Sequence, residues 1–195
     1  LITKFILFKW DAKDLVRPEY RLRTPVLEMS PLQKQMQTEL EIKALDNTEK
    51  WDVLSATNWM IGNLITPFMV KWCRAPTWWQ DFIDNSAQLK FIAQAIKNLR
   101  ETWNQDWVFI YMPKWVEFHE TFREALSHIT WTPKEKIWII NTKTDAKKDD
   151  IAEAFRNGKI NILIWGKNTA EWIDLQDNGY MTFITDVVRN TTERT

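Results

Sequence analysis

The chain has 195 residues, 45% of them apolar, and its 26 basic side chains balance 26 acidic ones. That is ample for a buried core, and with no net charge any contact with phosphate must come from a local patch, not from a field over the whole surface. A single cysteine, Cys73, excludes an internal disulfide, nothing resembles a signal peptide, and no run approaches the roughly twenty apolar residues of a membrane span, so the expected setting is intracellular, cytoplasmic or nuclear.

Leu1 to Phe8 is apolar, and the mixed-charge run WDAKDLVRPEYRLR after it, punctuated by Pro18 and Pro25, reads as an extended connector. Thr24 to Met29 is expected to form a short strand. It leads into Ser30-Pro31-Leu32-Gln33, where Ser at the N-cap, Pro at the first helical position and Gln three residues after the cap spell a capping box. The helix opened there should run to about Leu45, with Leu32, Met36 and Leu40 on one face. Trp51 to Pro67 reads as a second helix, followed by an irregular connection to Trp79. Leu89, Ile92, Ala93, Ile96 and Leu99 then mark an amphipathic helix ending near Trp103.

From Trp107 short apolar runs alternate with helical patterns. WVFIY (107–111), KIWII (136–140), INILI (160–164) and MTFIT (181–185) read as strands. Pro113 is expected to start a helix through Trp115, Phe118, Phe122 and Leu126. Asp145 is expected to cap another, carrying Ile151 and Phe155 and stopped at Asn157-Gly158. Strand, helix, strand with short connections implies right-handed crossovers and a parallel sheet covered on both faces, whose ligands meet the loops beyond the strands' carboxyl ends. Those loops are Met112-Pro113-Lys114, Asn141-Thr142-Lys143-Thr144 and Trp165 to Thr169.

The four glycines cannot spell GxGxxG or GxxxxGK[ST], so the chain carries no complete phosphate-cradling loop. His119 and His128 lie nine apart with no Cys or acidic cluster at ligand spacing, which gives no metal site. Cys73 is expected simply to pack. The thirteen tryptophans have no physical account in the sequence, with drift or engineering as one reading of the excess and base stacking as the other; for Trp115, Trp138 and Trp172 packing is a stronger reading than base stacking.

Several segments, in order, resemble the C-terminal RecA-like lobe of superfamily-2 helicases, and among them the Swi/Snf-type DNA translocases. KFILFKWDAKDL (4–15) is similar to the segment leaving the first lobe, LRTPVLEMSPLQKQM (22–36) to the strand and "MSPxQ" helix start, and NSAQLKFIAQAI (85–96) to the "S-x-K-L" helix. DWVFIYMPKWVEF (106–118) stands at motif IV, and NTKTDAKKDDIAEAFRNGKINILI resembles the family's strand, Thr-bearing loop, helix, "F-x-x-G" and strand. NTAEWIDLQ (168–176) stands at motif V, with Trp172 where that motif has glycine.

The resemblance implies an α/β fold, a RecA-like parallel sheet with helices on both faces preceded by a helical segment. It divides the chain into the end of a preceding lobe and connector (1–30), a helical segment (31–105) and the lobe itself (106–195), incomplete at its C-terminal end. It also implies a motor half that grips the backbone of DNA or RNA, completes an ATP site with an N-terminal RecA-like lobe, and has no membrane role. ATP and Mg²⁺ would bind only with that partner lobe, and this chain alone would hydrolyse nothing and carry no catalytic residue. By the same resemblance Asp174 and Trp172 face the nucleotide, and Lys114, Lys143, Thr144, Lys167, Asn168 and Thr169 touch nucleic-acid phosphates. Read from the residues alone, the three lysines are equally well solvated loop side chains, Thr144 a helix cap and Asp174 a turn carboxylate. Two other classes stay open: a non-catalytic nucleic-acid or protein-binding module, and a ribonuclease-H-like nuclease holding divalent metal on Glu171 and Asp186, which requires an antiparallel strand meander.

Overall fold

The computed structural model describes residues 25–46, 50–102, 107–113, 116–144, 148–166 and 180–185, and every described helix and strand belongs to the unit Glu28–Asp186. Its first helix, α1 (Pro31–Asp46), begins on the capping box read from the sequence. The Gln33 N–H donates to Ser30 Oγ and the Ser30 N–H to Gln33 Oε1, both at 3.1 Å. α2 (Lys50–Ile65) packs back along α1, burying Met36 and Leu40. A single 3₁₀ turn at Pro67–Met69 leads to a short helix, α3 (Trp79–Asp84), at the end of the stretch expected to be irregular. α4 (Ala87–Glu101) then presents Leu89, Ile92, Ala93 and Ile96 as a fully buried stripe.

Among the described residues the sheet has four strands, β1 (Trp107–Tyr111), β2 (Ile137–Ile140), β3 (Ile162–Trp165) and β4 (Tyr180–Ile184), in the order β2-β3-β1-β4, and each of their pairings is parallel. Val108 lies opposite Ile162, which lies opposite Ile137, so alternate side chains of three strands point to one face. That face is packed by α4 and by α5 (His119–Thr130) through Phe122, Ala125 and Leu126. The opposite face, with Ile140, Leu163 and Trp165, is packed by α6 (Lys148–Arg156) through Ile151, Ala152 and Phe155. Helices thus cover both faces. All four residues of β3 are buried, as a strand flanked on both edges and covered on both sides requires.

Several boundaries differ from the sequence reading, each for a local reason. Residues 25–29 form no strand: Pro25 has no N–H to donate and Val26 is fully exposed. The helix expected from Pro113 starts at His119 after a 3₁₀ turn at Val116–Phe118, where Phe118 stacks on Phe82 at 5.6 Å. β2 starts one residue late because the Lys136 N–H donates to Pro133 O in a 3₁₀ turn. β3 starts two residues late because the Ile160 N–H is turned back to Ala154 O, closing α6. The expected cap Asp145 and the segment 4–15 lie outside the described residues.

Candidate functional site at the carboxyl rim of the sheet

Four parallel strands put four carboxyl ends on one edge, and hydrogen bonds tie those ends together. The Met112 N–H donates to Trp165 O at 2.8 Å, the Gly166 N–H to Ile140 O at 2.8 Å, and the Thr185 N–H and Oγ1 both donate to Tyr111 O at 3.1 and 3.0 Å. The rim is therefore continuous across β2, β3, β1 and β4.

The loop after β2 is the best defined part of it. Thr144 Oγ1 accepts the Asn141 N–H and donates to Ile139 O, both at 2.9 Å, while Asn141 Oδ1 accepts the Lys143 N–H at 2.9 Å. The Thr144 N–H closes the turn on Asn141 O at 3.0 Å. Short polar side chains bonding their own backbone in this way replace the ladder where a strand ends. With the inner side of the turn occupied, Thr142 and Lys143 are left exposed.

Behind the loop sits a residue to which the sequence reading gives no role beyond discounting it as a metal ligand. His119, the first residue of α5, is fully buried, with Nε2 3.0 Å from Met112 O and Nδ1 3.4 Å from Asn141 Nδ2. A carbonyl can only accept, so Nε2 carries the proton and Nδ1 is the acceptor for the Asn141 amide, whose orientation is fixed independently by the Lys143 N–H on its oxygen. Gly166 forms the floor: a Cβ there would meet Ile140 O at 3.4 Å and both Asn141 Cβ and His119 Cε1 at 3.5 Å. The sequence carries no signal for His119, because Pro113 hides the true start of its helix; Asn141 is marked only by its place directly after a strand.

Of the site residues expected from the sequence, Lys143 and Thr144 stand on this rim, Lys143 exposed and Thr144 half-buried with its hydroxyl bonded to the loop. Lys114, Lys167, Asn168, Thr169, Trp172 and Asp174 lie outside the described residues, as do Glu171 and Asp186. Among the described residues no three of His, Cys, Asp and Glu come together as a metal-ligand set. Cys73 lines an apolar cavity of about 430 Å³ with Trp59, Phe68 and Phe118, and burial pushes its thiol above the ordinary range.

Compared with solved structures, the chain is similar to the Sulfolobus solfataricus SWI2/SNF2 ATPase C-terminal domain, with a TM-score of 0.63 and 15% sequence identity over 81% of this chain and 68% of that one. This chain has the RecA-like fold of that domain. No protein-family model matches it, and no curated protein gives a significant match. The fold that the motif order implies is the fold observed, with the parallel sheet and its rim where that reading puts them. The antiparallel meander that the ribonuclease-H reading needs is not found among the described strands, all of which pair in parallel. No described helix is long and apolar enough to cross a membrane.

Proposed function

We propose that this chain is the C-terminal motor lobe of an ATP-dependent DNA translocase or helicase. Its rim grips the nucleic-acid backbone, and its motif-V face, through Asp174 and Trp172, meets a nucleotide held mainly by an N-terminal RecA-like lobe. The observation that carries the reading is the all-parallel β2-β3-β1-β4 sheet, alike over 81% of the chain to a SWI2/SNF2 ATPase C-terminal domain. Supporting it is the exposed Lys143 on a loop whose inner polar groups are already bonded. A cation and free surface polar groups at strand ends position phosphates without reading bases.

The described residues supply no carboxylate cluster that fits Mg²⁺. By the resemblance, Mg²⁺ would be held with ATP mainly by the N-terminal partner lobe. In lobes that close over ATP, Mg²⁺ neutralises developing phosphate charge. The work left to this chain's residues is to bind and orient the nucleic acid.

Fluorescence anisotropy with a labelled duplex tests the reading. Lys143→Ala and Lys167→Ala should each weaken binding several-fold for every sequence tried and lower the slope of log affinity against log salt by about one. Unchanged affinity in both would sink the nucleic-acid role and favour a protein-binding module. Purified alone with DNA and ATP, the chain should release no phosphate above background, and turnover would contradict its assignment as half a motor.

A further inference from the structure

We propose that His119 and Asn141 are positioning residues that shape the Asn141–Thr144 turn so that Lys143 is presented to a backbone phosphate. This rests on the nucleic-acid reading above and adds the groups that set its geometry. The chain of contacts is directional. Met112 O at the end of β1 accepts from His119 Nε2 at 3.0 Å, His119 Nδ1 faces the Asn141 amide nitrogen at 3.4 Å, and the Asn141 amide oxygen accepts the Lys143 N–H at 2.9 Å. The turn could be closed by Thr144 alone, which already bonds the backbone of residues 139 and 141. What the imidazole adds is a tie from β2's loop to the end of β1, two strands away across β3.

That tie fixes where Lys143 stands relative to the neighbouring rim loop. Gly166 lies beside it, where a Cβ would come into van der Waals contact with both His119 and Asn141 at 3.5 Å. A lysine on an unrestrained loop has to order that loop on contact with its ligand, whereas here the bonds of Asn141 and Thr144 tie the loop's backbone beforehand. The arrangement also needs a particular tautomer. Only an imidazole protonated at Nε2 and bare at Nδ1 can donate to a carbonyl and accept from an amide.

Duplex affinity of the full chain is compared for His119→Ala, His119→Gln, Asn141→Ala, Lys143→Ala and the His119→Ala/Lys143→Ala double variant. We expect His119→Ala and Asn141→Ala to lose as many fold as Lys143→Ala and to lower the salt slope equally, with the double variant no weaker than either single one. His119→Gln, whose carboxamide both donates and accepts, should recover most of the affinity. Full affinity in His119→Ala beside a weakened Lys143→Ala, or additive losses in the double variant, overturns the positioning role and leaves the nucleic-acid reading intact. Full affinity in Lys143→Ala overturns this proposal, and the nucleic-acid reading falls with it only if Lys167→Ala also binds fully. If circular dichroism shows His119→Ala unfolded, Asn141→Ala decides alone by the same criterion. A nitrogen-15 spectrum of the histidine ring gives an independent check: protonation at Nε2 is expected, and protonation at Nδ1 refutes the relay.

Discussion

Gln33 is 1% exposed, yet every part of its side chain is bonded. Its Oε1 accepts N–H groups from Ser30 and Ala87 at 3.1 Å, and its Nε2 donates to Asn63 O at 2.6 Å and Leu64 O at 3.3 Å. Asn63 Nδ2 returns a bond to Gln33 O at 2.8 Å. One carboxamide thus joins the start of α1, the end of α2 and the start of α4. Gln33→Leu keeps the size but orphans groups on three helices, and should cost about 3 kcal/mol in urea unfolding. Gln33→Glu should be nearly as harmful, because a carboxylate would face two carbonyls.

Trp131 is the opposite case, with φ 59° at the end of α5 and 84% exposure. A left-handed backbone is strained for an aromatic residue and free for glycine, so Trp131→Gly should raise stability by about 1 kcal/mol. Asp81 carries the acid response. Hydrogen bonds from Arg74, at 2.5 and 2.7 Å, and from the Thr77 N–H hold its carboxyl well below the usual carboxylate range. Bonds from Gln80 and Lys90 lower Asp84 as well. Depressed folded-state values mean that this stability is present above the unfolded value of about 4 and is lost as pH falls through the folded one. Asp81→Asn should therefore flatten the fall in stability below about pH 4, and an unchanged acid limb would refute the assignment.

At the scale of elements, helix ends that carry their own chemistry are legible in the sequence and those fixed by distant partners are not. The stop of α6 is written in Asn157-Gly158. Gly158 has φ +70°, its N–H donates to Phe155 O at 3.0 Å, and the Lys159 N–H reaches Ala154 O at 2.9 Å, the two bonds of a Schellman motif. A Cβ at Gly158 would also touch Trp107 Cζ2 at 3.4 Å. Gly158→Ala should cost about 1–2 kcal/mol, measurable as a lower Tm. The start of α5 is hidden because Pro113 resembles a helix opening, while the actual opening is set by His119 reaching back to Met112 and by Phe118 against Phe82. α3 escapes the pattern because six residues, WQDFID, are too few to show a period. The tryptophan excess reads differently in three dimensions. Trp72 meets Trp59 edge-on at 4.9 Å, donates to Glu39 and lies under the Lys43 ammonium, and Trp79 stacks on His128 at 4.8 Å. These rings fill and bridge the gaps between elements.

For the molecule as a whole, the sheet and its rim are legible because apolar runs and helical periods alternate strictly after Trp107. The relay through His119 is not, since it joins residues 112, 119 and 141 by side-chain geometry that no spacing rule encodes. Nor does the sequence reveal that the helices before β1 share the sheet's core. Phe68, Phe82, Leu89 and Ile96 belong to one apolar cluster with Val108, Ile110 and Ile164. We expect Glu28–Asp186 to unfold in a single transition, with far-ultraviolet circular dichroism and tryptophan fluorescence coinciding; separated midpoints would show that the helices melt independently.

The knot of bonds at Gln33 has a mechanical corollary. α1 and α2, sixteen residues each and so about 24 Å long, are clamped at one end by contacts with α4 and the Asn63 carbonyl. With the root tied in this way, we expect a push on the far tip to reach the strands as torque, and a turn of the strands to sweep the tip through an arc.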